Sequence, residues 1–322
     1  MRECPSCGQE LMVGAQACPA CHVLVHGAEL NKLAREAQAL EAKGDYAQAR
    51  EVWNRSLSLL PHDATQARWV REKLRALEVA SSSAPDPKAK AVSPWVKRLG
   101  PLAPLAVVLA KGKVFLLAIF KLKFLFSFFS FIGLYVAWWG WRFGVGFAVC
   151  ILIHELGHFV DIKRRGLPAE MPVFLPGLGA YVRWNALGVT KRQIAQISLA
   201  GPLAGWLAAA GCYWLYLRTG HPFWAALART GALINVLNLI PVWTLDGGQA
   251  IGALGKTERA GIMAAALACF AWTSSPVFLL VAAGACWRLF TKDQPRKDDW
   301  GTWFYFVAVM GALAWTMSLV PA

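Results

Sequence analysis

Residues 143–162 read FGVGFAVCILIHELGHFVDI, a run apolar enough for a membrane interior that nevertheless carries His154, Glu155 and His158 inside the five residues HELGH. On a helix, positions i and i+4 lie on one face, one turn apart. Both imidazoles can therefore reach a single metal ion, with Glu155 beside them. This is the His-Glu-x-x-His zinc pattern, in which two histidines bind the metal and the carboxylate can act as general base. A hydrogen-bonded histidine pair is the plainer alternative. In an apolar span that alternative weakens, because polar groups left unpaired there are costly. Ionisable side chains inside a span mark a functional site by default.

The rest of the composition agrees with a membrane setting. The chain has 322 residues, enough for two or more domains, and 57% of them are hydrophobic. Mean hydropathy is +0.41. Sixteen Trp and seventeen Phe suit lipid-facing and interfacial positions. The net charge of +14 fits basic loops held on the cytoplasmic side. No basic stripe with interleaved aromatics stands outside the apolar half, so nucleic acid is not an expected partner. The N-terminus has no apolar h-region, and no cleavable signal peptide is expected. The expected location is the bacterial inner membrane, with the N-terminal module in the cytoplasm.

Residues 1–27 form the first unit. Cys4-x-x-Cys7 is followed after ten residues by Cys18-x-x-Cys21. Two such knuckles supply four thiolates, the donor set of a closed structural zinc site. That predicts a small zinc ribbon, which folds its segment and catalyses nothing. Cys150, Cys212, Cys269 and Cys286 lie singly in apolar runs and read as small buried hydrophobes.

Residues 28–79 read as two or three helices. LEAKGDYAQAREVWNRSLSLLP, residues 40–61, is similar to a tetratricopeptide repeat, with Gly44, Ala47, Ala49, Trp53, Leu57 and Pro61 at the turn, packing and stop positions. One and a half repeats are too few for a free-standing solenoid. The segment is either a plain helical hairpin or part of a surface for a protein partner. Residues 80–96, rich in Ser, Pro, Ala and Lys, read as a linker.

Residues 97–322 form the membrane domain, for which about seven spans are expected. Lysines 111, 113, 121 and 123 suggest an interfacial helix before a first span over 124–141. The motif helix over 143–162 ends at Lys163-Arg164-Arg165, which places that end on the cytoplasmic side. Residues 166–192, with Pro172, Pro176, Gly177 and Gly179, read as a short re-entrant strand or hairpin, or as a plain loop. Spans over 194–217 and 223–244 follow, the first with small residues Gly201, Ala204, Gly205 and Ala208 at helical spacing. Residues 260–290, with Ser274-Ser275-Pro276 at their middle, read as a hairpin of two short helices, and a last span covers 300–319. In NLIPVWTLDGG, residues 238–248, Asp246 is a second acidic group at membrane depth. It supplies the third ligand that catalytic zinc ordinarily has.

HELGH at 154–158 together with NLIPVWTLDGG at 238–248 resembles the site-2 protease family of intramembrane zinc metalloproteases. FLPGLGAYV and ISLAGPLAGW resemble that family's membrane-embedded loop and small-residue helix. The resemblance implies a mostly α-helical polytopic domain. It implies His154, His158 and Asp246 as zinc ligands, Glu155 as catalytic base, and Asn238 as a polar residue near the site. It also implies a transmembrane protein as substrate and the bilayer as surroundings. Two zinc ions per chain are expected, one catalytic and one structural. The chain departs from the family pattern in lacking an inserted PDZ domain, in Thr244 where a second proline is common, and in Gly205 where Asn is frequent. Two other readings compete: a non-proteolytic membrane scaffold that binds a partner through the N-terminal module, and a metal transporter. A transporter would need polar residues along several spans, and the remaining spans offer almost none.

Overall fold

The computed structural model describes residues 2–4, 8–19, 23–62, 64–82, 112–167, 169–177, 179–182, 189–295 and 298–320. At the N-terminus, β1 (Arg2–Glu3) pairs antiparallel with β2 (Glu10–Leu11), Arg2 opposite Leu11. The Cys4 N–H donates to the Gln9 carbonyl at 2.8 Å, and the Cys18 N–H to the Val23 carbonyl at 2.9 Å. Cys4 and Cys18 are buried in one small cluster with Leu11 and Val23. Cys7 and Cys21 lie outside the described residues, as does the linker from residue 83 onward.

Three amphipathic helices follow: α1 (Gly27–Lys43), α2 (Tyr46–Leu57) and α3 (Thr65–Ser82). Gly44, at φ 81°, ends α1 in the left-handed conformation that glycine adopts at little cost. Asp45 then caps α2 by accepting from the Gln48 N–H at 3.1 Å. The apolar stripes of the three helices meet around Leu30, Ala37, Ala49, Trp53 and Val70. Trp53 is fully buried; its indole N–H donates to Glu41 at 2.7 Å, and its ring meets Trp69 edge-on at 5.3 Å. Ala49 and Trp53 are positions that the repeat-like pattern assigns to packing, whereas Ala47 of the same pattern is exposed.

The larger part of the chain is a helical bundle. α4 (Gly112–Trp139) is one helix of 28 residues. Residues 112–123 of the expected interfacial helix continue directly into the first span, while residues 95–111 lie outside the described residues. Lys, Leu and Phe all tolerate helix, and no proline interrupts the stretch, so it continues to Gly140, whose φ of 80° ends it. α5 (Trp141–Arg164) carries HELGH. β3 (Val173–Leu175) and β4 (Gly179–Tyr181) then form an antiparallel hairpin, the structured one of the readings for this stretch. Phe174 anchors it, buried against Phe128 at 4.9 Å and Phe131 at 5.3 Å.

α6 (Lys191–Thr219) opens with a capping box between Thr190 and Gln193. α7 (Pro222–Asn238) stops short of the expected residue 244. Pro241 forces this, because the residue before a proline is driven out of the α region. A loop carries the chain to the short helix α8 (Asp246–Ala250), followed by a 3₁₀ turn. α9 (Lys256–Thr273) and α10 (Val277–Arg288) are the expected helix pair, turned at Ser274 with φ 53°. α11 (Trp300–Leu319) ends the bundle. Its main core gathers residues of α6 to α11, with Leu199, Val236, Ile262, Phe278 and Phe306 fully buried.

Among the described residues, α5, α6 and α11 are long and apolar enough to cross a membrane. Phe124–Trp139 within α4 and Val277–Arg288, α10, are apolar stretches of 10–17 residues. Three such helices among the described residues fall short of the expected seven.

Candidate metal centre

His154, Glu155 and His158 sit on the buried face of α5, packed against α6 and α7. Asp246 reaches them from the first position of α8, which packs against α6. In that loop Trp243 holds the left-handed conformation at φ 46° with its side chain almost wholly exposed. The three ligand candidates converge. His154 Nε2 and His158 Nε2 are 3.2 Å apart. Asp246 Oδ2 is 3.2 Å from His154 Nε2, and Asp246 Oδ1 is 3.3 Å from His158 Nε2.

The hydrogen bonds behind the rings fix which nitrogen carries the proton. His158 Nδ1 lies 2.8 Å from the Ile197 carbonyl oxygen. A carbonyl only accepts, so Nδ1 donates and Nε2 presents a lone pair. His154 Nδ1 lies 2.7 Å from Asn235 Oδ1, while Asn235 Nδ2 donates to the Gly231 carbonyl at 2.7 Å. His154 Nδ1 must therefore donate too. Two lone pairs and a carboxylate point at one spot, an arrangement that repels itself unless a cation lies between them.

Zinc fits that spot. Two nitrogens bound at about 2.05 Å to a tetrahedral zinc stand about 3.3 Å apart, close to the separations seen here. Asp246 Oδ2 is buried and has no hydrogen-bond partner despite its nearness to His154. That is how a metal ligand is oriented, not how a hydrogen-bond acceptor is. The donor set of two imidazoles and one carboxylate also suits zinc.

Glu155 is buried and lines the same cavity, of about 850 Å³. Asn238 and Thr244 line it as well, as do Gly179, Ala180 and Tyr181 of β4. The cavity thus joins the ligand cluster to one strand of the hairpin.

Residues 142–222 match peptidase family M50. Over that stretch the chain is similar to the family. HELGH, the first of the two motifs similar to site-2 proteases, lies within this match. A zinc metalloprotease of Methanocaldococcus jannaschii is 27% identical over 113 residues, which are 33% of this chain and 32% of that protein. The match thus spans about a third of the length of the curated relative. No solved structure gives a significant match. The family match ends at residue 222, so Asp246 comes from outside it. Only the folded chain brings that carboxylate to the two histidines of the matched stretch.

Two site residues escaped the sequence reading. The Ile197 carbonyl could not be foreseen, since any residue offers one. Asn235 could have been, because an amide in the middle of GALINVLN needs a buried partner in an apolar helix. The small residues of α6 also have a more particular use than helix approach. A Cβ at Gly201 would overlap the His158 ring, and one at Gly205 would overlap the Asn235 amide. Where the family resemblance expects Asn at 205, glycine leaves room for an amide from α7.

Proposed function

We propose that the chain is an intramembrane zinc metalloprotease that hydrolyses peptide bonds of membrane-embedded protein substrates. The observation that carries this reading is the convergence of His154 Nε2, His158 Nε2 and the Asp246 carboxylate beside buried Glu155 in one cavity. The match of residues 142–222 to family M50 supports the peptidase class. The long apolar helices α5, α6 and α11 support the membrane setting.

His154, His158 and Asp246 would hold the ion. Bound there, zinc supplies Lewis-acid chemistry, polarising a carbonyl and acidifying a water. The chain's own residues supply the rest. Glu155 takes a proton on its carboxylate oxygen and delivers it to the departing amide nitrogen. The walls of the cavity restrict bulk water and orient the peptide. β4 offers backbone groups along the cavity, which suits an unwound, extended substrate segment. Asn238 is a further polar contact in the same cavity.

The four cysteines Cys4, Cys7, Cys18 and Cys21 would bind a second, structural zinc, which makes residues 1–27 a ribbon. The ribbon and the three helices after it would form a cytoplasmic docking or regulatory module for a protein partner.

The test is Glu155→Gln, made in the full chain and co-expressed with a single-span substrate. Zinc content should stay at the wild-type level, while cleavage falls by about 10²–10⁴-fold, the range of a lost general base. Wild-type cleavage by this variant would overturn the role given to Glu155.

A further inference from the structure

We propose that Asn235 is a positioning residue that fixes His154 as a zinc ligand, in a socket that Gly205 leaves open. The proposal rests on the metal reading of His154, His158 and Asp246.

The two histidines are held by unequal means. The partner of His158 is a backbone carbonyl, which no side-chain substitution removes. The partner of His154 is one side-chain oxygen, Asn235 Oδ1. That amide cannot turn over. Reversed, it would set its oxygen against the Gly231 carbonyl, which can only accept, and lose that bond of 2.7 Å. Its orientation therefore imposes the tautomer of His154, with the proton on Nδ1 and the lone pair on Nε2. The bond also sets the rotation of the ring about its stem.

Burial makes the contact hard to replace. Asn235 is 1% exposed, so bulk water does not reach the place of a lost amide. The facing surface of α6 has no Cβ at that point. One at Gly205 would run into Cγ, Oδ1 and Nδ2 of Asn235 together. The amide and any side chain at 205 thus compete for the same space. Substitution at 205 should act on the metal through Asn235, although residue 205 has no polar group of its own.

The experiment measures zinc affinity of the purified full chain by competition with a chromogenic chelator, with the fold followed by circular dichroism. Asn235→Leu keeps the size and removes the acceptor, and should weaken zinc binding at this centre by about 10–100-fold. Asn235→Asp keeps the acceptor toward His154 but sets a second oxygen against the Gly231 carbonyl, so it should fall between wild type and Asn235→Leu. Gly205→Ala should reproduce the loss, yet add nothing further when position 235 is already Ala, because the amide it displaces is gone. A folded Asn235→Leu variant that holds zinc as tightly as wild type overturns the proposal. If that variant does not fold, wild-type zinc affinity in Gly205→Ala overturns it. His154→Ala is measured alongside. Unchanged zinc affinity there sinks the metal reading itself, whereas loss there with none in the Asn235 and Gly205 variants sinks only the positioning role.

Discussion

The helices at the N-terminus and the helical bundle that follows are built inside out relative to each other. In α1 to α3 the stripes facing inward are apolar and the outer faces carry Lys, Arg, Glu and Gln. Ser56 is the one buried polar side chain there among the described residues. In the bundle the outer surface is apolar, with Trp141, Leu207, Trp214 and Phe290 more than half exposed. Its buried groups include His154, Glu155, His158, Ser198, Asn235, Thr302 and Thr316. The same helical backbone serves both, and the solvent outside decides which face is polar. In water, burial of apolar area drives folding. In lipid that force is missing, and close packing with internal hydrogen bonds must hold the helices together. A polar site can then lie at the centre of the bundle without being a defect.

The sharpest way to break this contrast is metal accounting. Asp246→Ala should remove one zinc per chain, abolish peptide cleavage and leave the N-terminal helices folded. Cys4→Ser should remove the other zinc and expose the first residues to protease, with the bundle intact. Mass spectrometry of the intact protein reads both losses. If either variant lost both ions, the two regions would not be independent. A smaller effect is expected from Trp53→Ala, which empties a fully buried site among α1 to α3. It should cost about 3–5 kcal/mol locally. Limited proteolysis of the full chain should show faster cutting within 27–82 and no loss of zinc from the bundle. Smallest is Lys73→Ala. The Lys73–Glu41 pair is 3.0 Å long, but Lys73 is 36% exposed, so its loss should cost under about 1 kcal/mol. A larger shift in the same proteolysis assay would mean that this pair, which shares Glu41 with Trp53, anchors the module.

Much of this was open to reading from residues alone. HELGH required a helix because its two histidines are useful only one turn apart. Asp246 stood out as a charge where charge is costly. Trp53 and Ala49 fell in the core because a periodic pattern places them on one face. Boundaries were less legible. α7 ends at Asn238 because Pro241 acts back along the chain. α4 runs unbroken because lysines do not stop a helix.

By itself, the sequence determined the candidate ligand types, the helix that carries two of them and the apolar exterior. These follow from periodicity and from the cost of polar groups in lipid, both of which act locally. Tertiary structure alone decided that Asp246 comes within 3.3 Å of both imidazoles, and that Ile197 and Asn235 hold the rings from behind. It also decided that Gly201 and Gly205 are sockets for side chains. Each of these depends on how helices distant in sequence pack against one another. No local rule fixes that packing before the bundle has formed.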